Sequence, residues 1–183
     1  SVYPGATELC NGLDDDCDAS TGENDAVAFI GADGTLIDVS ADYAGGTANA
    51  PVLMTLTESG TLQFCEGIYH LNLVVEADLN FVGMSGDATT VVLDGSQAGV
   101  TVYSAHPYVQ MAFSDLTVTG GLGNVLLNGY NVGGGIVLNT YSQNGNGYDL
   151  GTLNMENVVV HGNSADVGGG LVVYGAHTHI LNS

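Results

Sequence analysis

A phrase of one kind, an acidic or amide residue followed by a short strand and a glycine, returns at intervals along this chain. It constrains the fold more than any other feature. Asp78-Leu79-Asn80-Phe81-Val82-Gly83 comes back as Asp115-Leu116-Thr117-Val118-Thr119-Gly120, and again as Asn157-Val158-Val159-Val160-His161-Gly162. The offsets of 37 and 42 residues leave room for loops of different length between copies. A second phrase, Gly133-Gly134-Gly135-Ile136-Val137-Leu138, recurs as Gly168-Gly169-Gly170-Leu171-Val172-Val173. Thr178-His179-Ile180-Leu181-Asn182 reads as the opening strand of one more unit. Units this small cannot bury their inward side chains alone, so they are stable only when neighbours stack and share a core. An antiparallel sandwich also yields many short strands, but it gives no reason for two phrases to recur in the same order.

The expectation is therefore an all-β chain: a right-handed parallel β-helix (β-solenoid) with a short acidic N-terminal loop. Its parts are the acidic loop over residues 1–25, a strand-rich lead-in over 26–59, and the β-helix over 60–183. Helical periodicity is nearly absent, and β-branched or aromatic runs are bounded by Gly, Asn and Asp. Val27–Ile30 and Thr35–Val39, split by Gly31-Ala32-Asp33-Gly34, read as a hairpin. Val52–Thr57 and Thr61–Cys65, split by Glu58-Ser59-Gly60, read the same way. Asn and Gly at the bends supply the left-handed backbone that tight corners need.

Charge narrows the function classes. The chain of 183 residues has 20 acidic residues and no Lys or Arg, a formal charge of −20. Average usage would supply roughly 20 basic residues. Without them the chain cannot release counterions from a phosphate backbone, which excludes nucleic acid as a partner. An anionic membrane surface is excluded on the same ground. The longest apolar runs, such as Leu71 to Val75, are too short to span a bilayer. Self-repulsion must be relieved by salt or bound metal, so an extracellular or cell-surface setting is expected.

The sharpest local motif is Glu8-Leu9-Cys10-Asn11-Gly12-Leu13-Asp14-Asp15-Asp16-Cys17-Asp18. Alternation at Asp14, Asp16 and Asp18 can turn three carboxylates toward one centre, the way calcium loops wrap a hard cation. Glu23, Asn24 and Asp25 could complete the oxygen set. Cys10 and Cys17 are close enough to be expected as a disulfide that holds the loop shut, leaving Cys65 over. Pairing of Cys65 with either of them, or with another chain, stays open, and its plain reading is a buried small hydrophobe. Zinc does not suit the loop, since a bridged Cys cannot ligate and no His lies nearby.

Two resemblances bear on these segments. Phe64-Cys65-Glu66-Gly67-Ile68-Tyr69, followed by Val82-Gly83 and Val91-Val92-Leu93-Asp94-Gly95, resembles the opening coil of pectin-lyase-like solenoids of bacterial surface proteins. Gly162-Asn163-Ser164-Ala165 running into Gly168-Gly169-Gly170 is similar to the short repeat of polymorphic outer-membrane and autotransported adhesins. Together they cover roughly residues 60–183 and imply fold more than activity. Glu8 to Asp18 resembles the MopE-type metal-binding motif of secreted bacterial proteins. The motif usually continues with Gly and an acidic pair, where this chain has Ala19-Ser20-Thr21-Gly22 before Glu23. Copper is attached to that family's name, but an all-carboxylate set favours calcium by ligand hardness, so calcium is the expected cofactor.

Catalysis has weaker grounds. The lyases that the chain resembles employ Arg as base, and this chain has none. A glycosidase needs only two well-spaced carboxylates, for which Asp94, Asp115, Glu156 and Asp166 are candidates. Asp94 and Asp115 read as turn acceptors instead. His177 and His179 share a strand face, with His161 as a third ligand if they bound metal; His70 and His106 stand alone. The expected function is a non-enzymatic structural or adhesive protein that stacks head-to-tail with copies of itself through an edge at His179, Ile180 and Leu181. The alternatives are a coil segment of a longer cell-surface adhesin and a β-helix that binds or cleaves carbohydrate, with cell-surface or matrix glycans as partners.

Overall fold

The computed structural model describes residues 27–127, 129–140 and 151–183, together with Pro4 and Cys17. The chain is all-β, 56% strand against 3% helix, with a mostly parallel sheet. The described strands begin with β1 (Val27–Gly31) and β2 (Leu36–Asp38), joined by a tight turn, followed by a four-residue helix α1 (Ser40–Tyr43). Next come β3 (Val52–Leu56), β4 (Gly60–Phe64), β5 (Gly67–Val75), β6 (Leu79–Gly83) and β7 (Val91–Asp94). After β8 (Val102–Ser104) and the long β9 (Gln110–Thr119), β10 (Val125–Leu127) and β11 (Tyr130–Val132) form a separate hairpin. The chain ends on β12 (Ile136–Asn139), β13 (Gly151–Val160), β14 (Leu171–Tyr174) and β15 (Ala176–Leu181).

Register resolves these strands into three parallel ladders. Ladder A runs β3, the second half of β5, β8, β12, β14. Ladder B runs β4, β6, then the first halves of β9 and β13, then β15. Ladder C runs from the first half of β5 to β7 and on to the second halves of β9 and β13. From β3 onward the chain visits A, B and C in that order, again and again. Only β1 and β2 break the pattern within ladder B: β1 lies antiparallel on β4, and β2 antiparallel on β1.

The interior follows from period-2 alternation. In ladder B, Leu62, Phe81, Phe113, Met155 and Ile180 are successive register partners and point inward together. The Phe81 and Phe113 rings stack with centroids 4.7 Å apart and planes 6° from parallel, a separation that matches the spacing of neighbouring strands. Leu73, Val102 and Ile136 do the same in ladder A, and Leu93 and Val118 in ladder C; all are buried.

Corners are where residue type matters most. Between ladders B and C the chain turns at Asp115 (φ 56°), Asn157 (φ 53°) and Asn182 (φ 50°), the non-glycine types that tolerate the left-handed region best. Register places these three above one another, and Asn157 Nδ2 donates to Asp115 Oδ1 at 2.7 Å. Before ladder A the glycines serve close approach. A Cβ on Gly134 would lie 2.6 Å from the Gly169 oxygen and 2.7 Å from the Gly121 oxygen.

Two expectations need correction. Val52–Leu56 and Gly60–Phe64 are not a hairpin: β3 pairs with β5 and β4 with β6, so the two strands lie on different ladders. The three-fold phrase is also two-fold in space. Thr117 lies beside Val159 as expected, but the rung preceding it is Val92 on β7, whereas Leu79–Val82 stack under Met111–Ser114. The Gly-Gly-Gly phrases do align, Ile136 on Leu171 through Asn139 on Tyr174, and β1–β2 is the expected hairpin.

Candidate functional site

Asp14, Asp16, Asp18, Glu23, Asp25 and Cys10 of the expected metal loop lie outside the described residues. Cys17 does not, and it overturns the expected pairing with Cys10: its thiol is free and exposed, at φ 60°. Cys65 is disulfide-bonded, and it is buried just after β4. It is therefore a covalent anchor rather than a small hydrophobe filling space.

The residues of the expected assembly edge lie on β15, the last described strand of ladder B. β15 pairs with β13 on one side, His179 beside Asn154, Ile180 beside Met155, Leu181 beside Glu156. Ile180 occupies the inward row of ladder B, yet it is 45% exposed where Phe113 of the same row is 2% exposed. His177 and His179 share the outward face of ladder B. His161 follows β13 in ladder C, its N–H donating to the Val118 oxygen at 3.2 Å, so it does not complete a site with them. Among the described residues no group of three or more His, Cys, Asp or Glu side chains could hold a metal ion.

The candidate acids are taken up by structure to different degrees. Asp94 Oδ1 accepts the Ser96 N–H at 2.8 Å, closing a turn. Asp115 accepts from Asn157 at the stacked corner. Asp166 Oδ2 accepts the Asn131 N–H at 3.1 Å, tying β11 to the loop before β14. Glu156 faces a shallow groove on the outside of ladder B, shared with Asn80, Asn154 and His179.

His70 does not stand alone. Its Nδ1 lies 2.9 Å from Ser96 Oγ and 3.4 Å from Asp94 Oδ2. A Ser–His–Asp relay needs Ser and Asp on opposite ring nitrogens; here both face the same one, so the cluster clamps a loop and relays no proton. The clamped loop is unusual. Ser96 (φ 55°) and Gln97 (φ 56°) are consecutive left-handed residues, a conformation that costs energy and persists only where the surroundings fix it. Asn72 Nδ2 closes the loop by donating to the Gly95 and Val100 oxygens at 3.2 and 3.1 Å. His70 opposite Asp94 is a register pair of β5 and β7, invisible until the register is known.

Some described side chains are pushed from their ordinary titration range. The Thr89 backbone N–H, then its hydroxyl, hold the exposed Asp87 carboxyl low, and Thr35 does the same for Asp33. Burial pushes Tyr43 well above the ordinary tyrosine range, helped by the neighbouring Asp42 charge. Burial also raises Tyr103.

Comparison with known proteins touches one end of the chain. Residues 1–23 match the copper-binding MopE family model, described as a "Putative metal-binding motif". No curated protein and no solved structure matches the chain. The match bears out the N-terminal motif and corrects the metal: it points to copper rather than calcium. The hardness argument for calcium counted carboxylates only and set Cys17 aside as a bridged residue. A free thiol is a soft donor of the kind copper accepts.

Proposed function

We propose that this chain is a non-enzymatic, extracellular structural or adhesive protein built as a right-handed parallel β-solenoid, which grows by adding rungs head-to-tail. The observation that carries the reading is the contrast within ladder B between the buried Phe113 and the half-exposed Ile180. A row of inward side chains continues to a rung with no strand on its far side among the described residues, and an unpaired strand edge accepts another strand. At the other end of the stack, the exposed Leu36 and Ile37 of β2 offer an apolar strand for it to meet. The contact is heterologous, so it propagates instead of closing. The Cys65 disulfide agrees with an oxidising exterior. Surface or matrix glycans are the partners of the outward faces. At −20 per copy, stacking is opposed by repulsion that salt screens.

Sedimentation velocity across protein concentration, at low and at near-molar salt, tests this. Species that lengthen with both, and that Ile180→Asp abolishes, support it; a single monomeric species throughout refutes it. A second reading, a coil segment of a longer cell-surface adhesin, is favoured by Asn182. It repeats the left-handed corner of Asp115 and Asn157, and Ser183 Oγ accepts the Val158 N–H at 3.1 Å, as a first contact of ladder C. The intact mass of the native protein separates the two.

For the N-terminal motif the match supports copper as the metal, and the free thiol of Cys17 makes it the donor to test first. Cu(I) titration of the purified chain followed by thiol accessibility should show Cys17 protected from alkylation. Unchanged alkylation in the presence of copper would remove Cys17 from the ligand set.

A further inference from the structure

Several grooves lie on the ladders or at the first rungs, and they differ in charge. One beneath β1 and α1 carries Asp42 and Glu58, one on ladder B carries Glu156, and one beside the β1–β2 turn carries Asp78. A fourth, about 430 Å³ on the outside of ladder A, has no charged residue in its lining among the described residues. In a chain with 20 carboxylates and no Lys or Arg, a groove free of charge selects by shape and hydrogen bonding.

Its floor is regular. Thr55, Val74 and Tyr103 are successive register partners on β3, β5 and β8, and Leu53 adjoins Asn72 in the next row. All alternate with the buried or half-buried inward residues Met54, Leu73 and Val102, so they face outward. Three rungs span about 10 Å at the usual strand spacing. One wall is the loop through Gly99, held rigid by the Asn72 amide and the His70–Ser96–Asp94 clamp. Beside it on the same side stands Asn124, just before β10: a Cβ on Gly99 would lie 3.0 Å from Asn124 Nδ2, and the Leu122 N–H donates to the Gly99 oxygen at 2.8 Å. The groove thus offers an aromatic ring, an aliphatic floor, an amide and a hydroxyl on fixed backbone. Ligand pockets have this composition: mostly apolar, with a few placed polar groups.

We infer that this groove is a binding site for a neutral oligosaccharide, whose ring faces pack on Tyr103 and Leu53 while its hydroxyls bond Asn124 and Thr55. A polyanion would meet the repulsion of the whole chain, and a cation would find no counter-charge in the lining. An uncharged chain of sugar rings, amphipathic on the scale of one ring, meets both the apolar floor and the amide. The inference deepens the glycan-partner part of the proposed function by giving it a place, and does not need the stacking of copies.

Calorimetric titration of the full chain with cellohexaose and with maltohexaose, against a galacturonate hexamer as the charged control, is the test. A neutral hexamer should bind and the anionic one should not. Tyr103→Ala should weaken binding about tenfold or more, equivalent to about 1.4 kcal/mol, while Tyr103→Phe keeps it within about threefold. Asn124→Ala, on an exposed loop that the core does not depend on, should weaken it as well. No binding of either neutral hexamer, preference for the galacturonate, or binding indifferent to both Tyr103→Ala and Asn124→Ala would overturn the assignment. Sedimentation of the Asn124→Ala chain reports separately on stacking, so either idea can fail while the other stands.

Discussion

The first and last described strands of ladder B are of the same kind and are covered differently. At one end β1 and β2 cross antiparallel over β4, and α1 seats Tyr43 edge-on against Phe64, centroids 5.7 Å apart at 87°. Phe64 in turn meets Tyr69 at 5.0 Å and 70°, so the first rungs carry an aromatic lid. At the other end β15 has a neighbour on one side, and Ile180 and Leu181 are each 45% exposed. The residues are as apolar as those inside. Burial in this architecture is therefore set by whether another rung lies over a residue and not by the residue's type, and a parallel rung cannot cover itself. An antiparallel hairpin and a turn of helix can, because they break the register that a further rung would copy.

This comparison can be broken in several ways, the largest effect first. Phe113→Ala removes a ring packed on both sides and should cost about 3–5 kcal/mol in urea unfolding. Tyr43→Ala opens the lid and should cost about 2–4 kcal/mol, with faster amide exchange in β1 and β4. Gly134→Ala, where a Cβ meets backbone oxygens of the corners above and below, should cost about 1–3 kcal/mol. Ile180→Ala, in the same inward row as Phe113, should cost only about 1 kcal/mol by its partial burial. If Ile180→Ala proved as costly as Phe113→Ala in a monomeric sample, the contrast between interior and edge would be lost.

The smallest effect is one of pH. Burial keeps Tyr43 protonated in the folded state beyond the pH at which the unfolded chain releases it. The native state then binds the proton more tightly, so the stabilisation is complete below about pH 10 and fades as pH climbs higher. Tyr43→Phe should flatten the alkaline limb of a melting-temperature profile and leave neutral pH nearly unchanged. Asp87, held low by Thr89 on an exposed turn away from both ends, has the opposite sign. Its contribution is present above the ordinary Asp range and lost as pH falls further, so Asp87→Asn should touch only the acid limb, slightly.

How much of this was legible in the sequence depended on what carried the signal. The Gly-Gly-Gly phrases aligned correctly because a corner that admits only Gly fixes both ends of the strand that follows it. The Asp-strand-Gly phrase misled for its first copy. Asp78 ends a loop entering ladder B, where its Oδ1 accepts the Gln110 N–H at 2.8 Å, while Asp115 is a left-handed corner entering ladder C. One residue type serves both places. The helix α1 left no periodic trace, since four residues are too few to show one. The clamp of His70, Asp94 and Ser96 joins residues 26 apart, a distance that only the register reveals. The cysteine pairing failed because proximity in sequence was taken for proximity in space.

The register also sets an order of assembly for the chain itself. Val52 meets Leu71 across nineteen residues, whereas Thr117 meets Val159 across forty-two. Closing a longer loop costs more entropy, though only about 0.6 kcal/mol for each doubling. The tightest parallel closures, β3 on β5 and β4 on β6, lie directly beneath the aromatic lid, so the two features favour the same starting point. A nucleus formed there can be extended one circuit at a time toward the C-terminus, the direction in which a ribosome or an export channel delivers the polypeptide.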